Sequence, residues 1–223
     1  MDNRSLKDLL YEQVARIGKA VSSPKRLELL GLVAQGEKSV EVLAGELSVD
    51  MKLASAHLKA LKEARLVESR REGKYVVYRL SGSDVASLWV TLRQVAEAHL
   101  LELKLALERM VSDPAQLASV GRQDLLDKAQ RGEIIVIDVR PYAEYQAAHL
   151  PFARSMPLAE IEQRLNELPP GKEIVAYCRG PYCLMSDEAV KLLAQRGFRV
   201  RKIADGVVEW QAAGLPVETG LAG

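Results

Sequence analysis

The sequence predicts two folded domains in series: a mainly α domain over residues 1–113, then an α/β domain with a parallel central sheet over residues 114–223. Three observations carry that prediction. Apolar residues recur at three- and four-residue steps through the first sixty positions, which is the helical period. Two β-prone segments then flank a glycine-containing turn at Gly73. Beyond Pro114, short all-apolar runs alternate with helical segments, as strands do when a parallel sheet is buried on both faces. At 223 residues, with 48% apolar and 27% charged residues, the chain can bury a core in each domain.

In the first domain, Leu6, Leu9, Leu10, Val14 and Ile17 mark one helix, and Leu27, Leu30, Leu32 and Val33 a second. Ser23-Pro24 separates them, with Ser as a cap and Pro suited to a first turn, and Gly36 closes the second. Residues 39–47 form a short helix carrying Val42, Leu43 and Leu47. Ser48-Val49-Asp50 turns the chain, and Asp50 caps a helix over residues 51–64. Residues 66–71 and 75–80 form a hairpin around Glu72-Gly73-Lys74. A helix–turn–helix followed by a basic hairpin is a winged helix. The formal net charge is only +1, yet residues 51–80 hold eight Lys or Arg against three Asp or Glu, an excess that suits a polyanion.

One long helix is expected over residues 84–111, its stripe set by Val85, Leu88, Leu92, Val95, His99, Leu103, Leu107 and Met110. Such a stripe needs a partner. A second copy of the chain is the economical choice, because a twofold dimer matches an operator with two half-sites. Ser112-Asp113-Pro114 ends the helix and marks the domain boundary.

In the second domain, residues 134–137, 174–177 and 199–203 are the strand candidates, and residues 123–131, 158–168 and 184–196 the helices. Reactive groups in such folds belong at the carboxyl ends of strands. Cys178-Arg179-Gly180-Pro181-Tyr182-Cys183-Leu184 sits at such an end, where a strand gives way to a helix. Inward backbone N–H groups and the helix dipole favour an anion there, so the Cys178 thiol is expected to ionise more readily than a free one. Arg179 adds a positive charge beside it. The thiolate is the nucleophile, and Gly180, Pro181 and Tyr182 form the anion cradle. Two cysteines five positions apart are too few for a disulfide scaffold and point to chemistry in a reducing compartment. Arg4, Lys7, Asp8, Glu12, Arg16 and Lys19 interrupt the N-terminus, and no stretch nears ~18 consecutive apolar residues. No secretory leader and no membrane partner are therefore expected, and the location expected is the cytoplasm.

The second half resembles the rhodanese family. Its matching features are Asp138-Val139-Arg140 with Glu144-Tyr145, His149-Leu150-Pro151 leading to Ala153, the Cys178 loop, and Asp205-Gly206 with Trp210, Gly214, Leu215 and Pro216. The resemblance implies a sulfurtransferase-type site in which Cys178 holds a sulfane sulfur as a persulfide, with a sulfane-sulfur donor or thiol acceptor as partner. Related phosphatases place Arg six positions after the catalytic Cys; Leu184 stands there, which disfavours phosphate chemistry. Cys183 replaces the family's more usual Arg or Ser. A second thiol there can attack the persulfide and release sulfide, or it is merely packing. Asp138 and Arg140 read as a structural ion pair, and His149 as a buried hydrogen-bonding residue.

The first half resembles the ArsR-type winged-helix repressors. Ser23-Pro24-Lys25-Arg26-Leu27-Glu28-Leu29-Leu30 and Ser55-Ala56-His57-Leu58-Lys59-Ala60-Leu61 carry the likeness, with Ala64-Arg65-Leu66-Val67 and Arg70-Arg71-Glu72-Gly73-Lys74. It implies a homodimeric repressor released from double-stranded operator DNA by a chemical signal. Met51, Lys52, Ser55, Ala56 and Lys59 occupy the face that enters the major groove, and Leu58 and Leu61 hold the helix to the core. Arg70, Arg71 and Lys74 suit phosphate or minor-groove contacts, and His57 suits helix packing or a phosphate. Thiolate metal sites of this family need cysteines that this half lacks, and Asp84, Glu97, His99 and Glu102 are too few well-placed ligands for tight zinc. No metal and no other cofactor is expected. The leading expectation is a repressor regulated through Cys178, with Cys183, by reactive sulfur species. The rivals are a sulfurtransferase with an accessory DNA-binding domain, and a metal- or metalloid-responsive repressor with an idle second domain.

Overall fold

The computed structural model describes residues 2–110 and 121–220. It divides into two compact units, Met1–Trp89 and Val90–Gly223. The expected boundary after residue 113, with its Ser112-Asp113-Pro114 stop, lies outside the described residues.

The first unit runs α1 (Asn3–Val21), α2 (Pro24–Val33), β1 (Lys38–Ser39), α3 (Val40–Glu46), α4 (Met51–Glu63), β2 (Val67–Glu72) and β3 (Tyr75–Leu80), then enters α5 (Ser83–His99). Local chemistry sets the helix starts. Ser39 accepts from the Val42 N–H at 3.4 Å, and Asp50 accepts from the Leu53 N–H at 2.8 Å. Ser23 precedes α2 without a side-chain cap bond; there Pro24 opens the helix, its fixed φ suited to a first turn. Between α3 and α4 the backbone reverses through Ser48 at φ 53°, and Gly73 at φ 59° turns the hairpin. The three strands are antiparallel in the order β1-β3-β2, with Ser69 opposite Tyr78. The core gathers Leu29, Leu30, Leu43, Leu47, Ala54, Leu58 and Leu61 under Leu66, Val67, Tyr78 and Val85. The two-residue β1 has no periodicity of its own and was not legible in the sequence.

The long helix expected over residues 84–111 is instead two, α5 and α6 (Leu101–Met110), interrupted at Leu100. No residue of α6 is buried, and Leu103, Leu107 and Met110 are half-buried. The boundary between the two units falls inside α5, and Arg93, near the start of the second, is buried with Glu209 of the same unit.

The second unit continues with α7 (Arg122–Gln130), β4 (Ile134–Asp138), α8 (Tyr142–Ala147), β5 (Arg154–Ser155), β6 (Glu173–Tyr177), α9 (Met185–Gln195), β7 (Val200–Lys202) and α10 (Val207–Ala212). The sheet is wholly parallel in the order β5-β4-β6-β7, with Asp138 opposite Tyr177. Successive side chains on a strand point to opposite faces. Accordingly Ile135, Ile137, Ile174 and Ala176 pack with Ala189, Val190 and Leu193 on one face, while Ile134, Val136, Val175 and Tyr177 pack with Leu125, Tyr145 and Trp210 on the other. Cys178 continues the first of these sets, so the alternation delivers it to the α9 face.

The helix expected over residues 158–168 is two short 3₁₀ segments, Leu158–Gln163 and Leu165–Glu167. Its apolar residues pair at three-residue steps, Leu158 with Ile161 and Leu165 with Leu168, which fits three residues per turn.

Candidate functional site

The loop from Cys178 to Leu184 joins β6 to α9. Gly180 holds φ 111°, and the Cys183 N–H donates to the Gly180 carbonyl at 3.1 Å, closing a tight turn through Pro181 and Tyr182. This turn brings the two cysteines together. Cys178 and Cys183 form a disulfide with their Cα atoms 6.4 Å apart, inside the usual span for such a bond. Cys178 is buried and Cys183 half-buried. Gly206 seats the loop from below: a Cβ there would stand 2.5 Å from the Cys178 carbonyl oxygen and 2.7 Å from the Gly180 nitrogen. Only a bare backbone fits.

Charge around the loop is more balanced than the sequence suggests. Arg179 does not lend an unpaired cation to the sulfur, because its guanidinium grips the buried carboxylate of Glu144, Nε to Oε2 at 2.9 Å and Nη2 to Oε1 at 2.5 Å. On the other side Glu209, 3% exposed, presses its carboxylate against Gly180. Glu209 accepts from the Gly206 N–H at 2.7 Å and from Nη1 of Arg93, itself 5% exposed, at 2.7 Å. The first turn of α9 adds Asp187 and Glu188, whose charges offset the positive end of the helix dipole, and Asp187 is paired with Lys202. Tyr182 lays its ring 5.4 Å from the Arg93 guanidinium. Burial, followed by the charge and hydrogen bond of Glu97, pushes its hydroxyl up to about 12, so it stays protonated and donates to Glu97.

Behind the loop, on the opposite face of the sheet, lies a buried polar frame. Arg140 donates to Asp138 through Nε at 3.0 Å and Nη2 at 2.6 Å, and to the Ala148 carbonyl at 2.7 Å. The Tyr177 hydroxyl donates to Asp138 at 2.7 Å and accepts from the Leu150 N–H at 3.1 Å. Burial alone would lower the Arg140 pKa, but the Asp138 hydrogen bonds and charge override it and raise it. Burial and the same carboxylate hold the Tyr177 hydroxyl well above the ordinary phenol range. His149, 1% exposed, stacks on Tyr145 with centroids 3.8 Å apart and places Nδ1 2.9 Å from the Tyr145 carbonyl. All of these groups are tied into the fold.

In the first unit, Met51, Lys52, Ser55, Ala56 and Lys59 lie exposed along α4, His57 is half-buried, and Ala54, Leu58 and Leu61 are buried beneath. The wing is less free than its composition implies. Arg70 is held by Glu37 and Glu72, each at 2.7 Å, Lys74 sits 5.2 Å from the Tyr75 ring centroid, and Lys59 stands 3.9 Å from Glu63. Lys52 and Arg71 are exposed with no carboxylate partner among the described residues.

Residues 23–69 match the bacterial regulatory protein, arsR family, and residues 122–213 the rhodanese-like domain. The HTH-type transcriptional regulator Rv0324 of Mycobacterium tuberculosis is 44% identical over 214 residues, spanning 96% of this chain and 94% of that protein. The chain belongs to the ArsR-type HTH transcriptional regulators.

The regulator's second unit is also similar to a sulfurtransferase of Allochromatium vinosum, 31% identical over 90 residues, which is 40% of this chain and 82% of that protein. Its first unit is similar to the homodimeric winged helix-turn-helix DNA-binding domain of Mb0332 from Mycobacterium bovis, 45% identical, covering 46% of this chain and 93% of that one, with a TM-score of 0.42. No helix among the regulator's described residues is long and apolar enough to cross a membrane, and none of its described His, Cys, Asp or Glu groups is arranged in threes to hold a metal ion. His99 ends α5, exposed, and Glu102 is exposed in the first turn of α6.

Sequence reasoning missed three residues of the regulator's loop surroundings: Glu209, Glu144 as the partner of Arg179, and Arg93. Glu209 carried one readable signal, an acid three residues after Gly206, placed to receive the backbone N–H that opens α10. Arg93 carried a weaker one, a cation four residues before Glu97 on the helix face that holds Trp89 and Ala96.

Proposed function

We propose that this regulator binds operator DNA as a homodimer in the cytoplasm, and that its DNA affinity follows the thiol state of Cys178 and Cys183. The Cys178 thiolate attacks the outer sulfur of a persulfide or polysulfide, expelling the donor's remaining thiolate and leaving a Cys178 persulfide. The Cys183 thiolate then attacks Sγ of Cys178. The new bond is the Cys178–Cys183 disulfide, and hydrosulfide leaves with the electron pair of the broken S–S bond. The sulfane sulfur is the two-electron oxidant, so no other is needed. The observation that carries this reading is the pairing of the two cysteines at the carboxyl end of β6. Leu6, Leu10 and Val14 on α1 and Leu88, Val95, Leu101 and Leu105 on α5 and α6 remain exposed, which supports pairing with a second copy.

The test uses duplex DNA selected from a random pool by the full chain in each thiol state. Adding polysulfide is expected to change affinity about 100-fold, equivalent to about 2.7 kcal/mol of differential binding. Unchanged affinity, with the disulfide confirmed by mass, would sink the reading. The likeness to a sulfurtransferase favours a second reading, sulfur transfer as an activity in itself; repeated turnover of thiosulfate with cyanide that survives Cys183→Ser would carry that one.

On the DNA-binding face, Lys52→Ala and Arg71→Ala are each expected to weaken binding evenly across sequences and to lower the slope of log affinity against log salt by about 1. Arg70→Ala should lower it less, because Glu37 and Glu72 already hold that charge. Anisotropy titrations at several salt concentrations decide this, and three equal slopes would contradict it.

A further inference from the structure

The loop that carries both cysteines is held from one helix. Arg93 and Glu97 stand one turn apart on α5, with Arg93 Nε 3.2 Å from Glu97 Oε1. Arg93 reaches Glu209, whose carboxylate abuts Gly180 and fixes Gly206, and Gly206 in turn lies against the backbone of residues 178–180. Glu97 takes the other side through the hydroxyl of Tyr182, the residue before Cys183, while the Tyr182 ring faces Arg93. Arg93 and Glu209 are 5% and 3% exposed, and a buried charge is costly unless it stays paired. The Arg93–Glu209 link therefore resists stretching and must move as a unit.

Reduction of the disulfide by two electrons and two protons leaves two thiols that cannot remain at bonding distance. The two Sγ atoms separate to van der Waals distance, and because the Cα atoms stand 6.4 Å apart across the short turn Gly180-Pro181-Tyr182, movement of Cys183 reaches Tyr182 directly. Its two anchors lie on α5, which also supplies Val85 to the core of the first unit.

We propose that Arg93 and Glu97 are positioning residues that tie the thiol state of the Cys178–Cys183 loop to the conformation of α5. The inference rests on the reading of this loop as the regulatory site, and it names the groups through which that site acts. Neither residue touches sulfur; each acts through Glu209 or Tyr182.

Hydrogen exchange on the full chain tests the tie without DNA. Wild type, Tyr182→Phe and Arg93→Gln are each driven to the dithiol with dithiothreitol or to the disulfide with diamide, the state being verified by intact mass after alkylation. In wild type, exchange at the α5 amides of residues 93–99 is expected to differ about fivefold or more between states. In both variants that difference should fall below about twofold. Equal α5 exchange in the two wild-type states overturns the proposal, and so does a variant that keeps the wild-type difference. If Arg93→Gln does not fold, Tyr182→Phe decides, since it removes one hydroxyl and keeps the ring on Arg93. Operator affinity measured on the same samples separates the two claims: a thiol-dependent α5 beside an unchanged affinity upholds the tie and defeats the regulatory reading.

Discussion

Cys178→Ser is expected to abolish the response to polysulfide: operator affinity before and after treatment should agree within experimental error, where wild type shifts about 100-fold. Serine keeps the size of the side chain but cannot form the thiolate that attacks sulfane sulfur. Cys183→Ser should behave differently. It keeps the nucleophile and removes the thiol that resolves the persulfide, so treated protein should carry one added sulfur atom on Cys178 and form no internal disulfide. Intact mass and peptide mapping read both outcomes. A Cys178→Ser protein that still answers polysulfide would place the reactive group elsewhere.

The second large effect concerns stability. Asp138→Ala is expected to destabilise the second unit by about 3–5 kcal/mol, since it removes the carboxylate that the buried Arg140 guanidinium grips through Nε and Nη2. Both side chains are fully buried, so water cannot replace the lost partner. The Tyr177 hydroxyl loses its acceptor in the same step. For a unit of this size each kcal/mol is on the order of 3–5 °C in Tm, so a fall of about 9 °C or more is expected by circular dichroism. A fall of only a few degrees would contradict the assignment of Asp138 as the principal partner of Arg140.

These effects draw on features that were unequally legible in the sequence. The winged helix could be read because its cues are local: Asp50 caps α4, Gly73 turns the hairpin, and Leu58 and Leu61 recur at the helical period. The parallel sheet could be read because β4 and β6 are apolar on both faces. Cys178 was found for the same reason, since a strand end followed by a helix is a local pattern. The surroundings of that thiol are not local. Glu144 lies 35 positions from Arg179, and Glu209 lies 116 from Arg93, so only the fold brings their charges together. Hence the sequence alone suggested an unpaired cation beside the sulfur, where the fold provides a closed ion pair. The long helix was over-read for a related reason: apolar spacing continues through Leu103 and Leu107, but spacing does not register the interruption at Leu100.

The two cysteines are separated by only five positions along the chain. The entropy that a cross-link removes from an unfolded polypeptide grows with the logarithm of the loop it closes, and a ring of six residues forfeits only about 2 kcal/mol, against almost 5 for a ring of a hundred. Opening this bond therefore releases little chain freedom. A bridge between distant segments would brace the whole domain, and its loss would threaten the fold; the small ring closed here adds little to the assembly of the buried sheet beneath it.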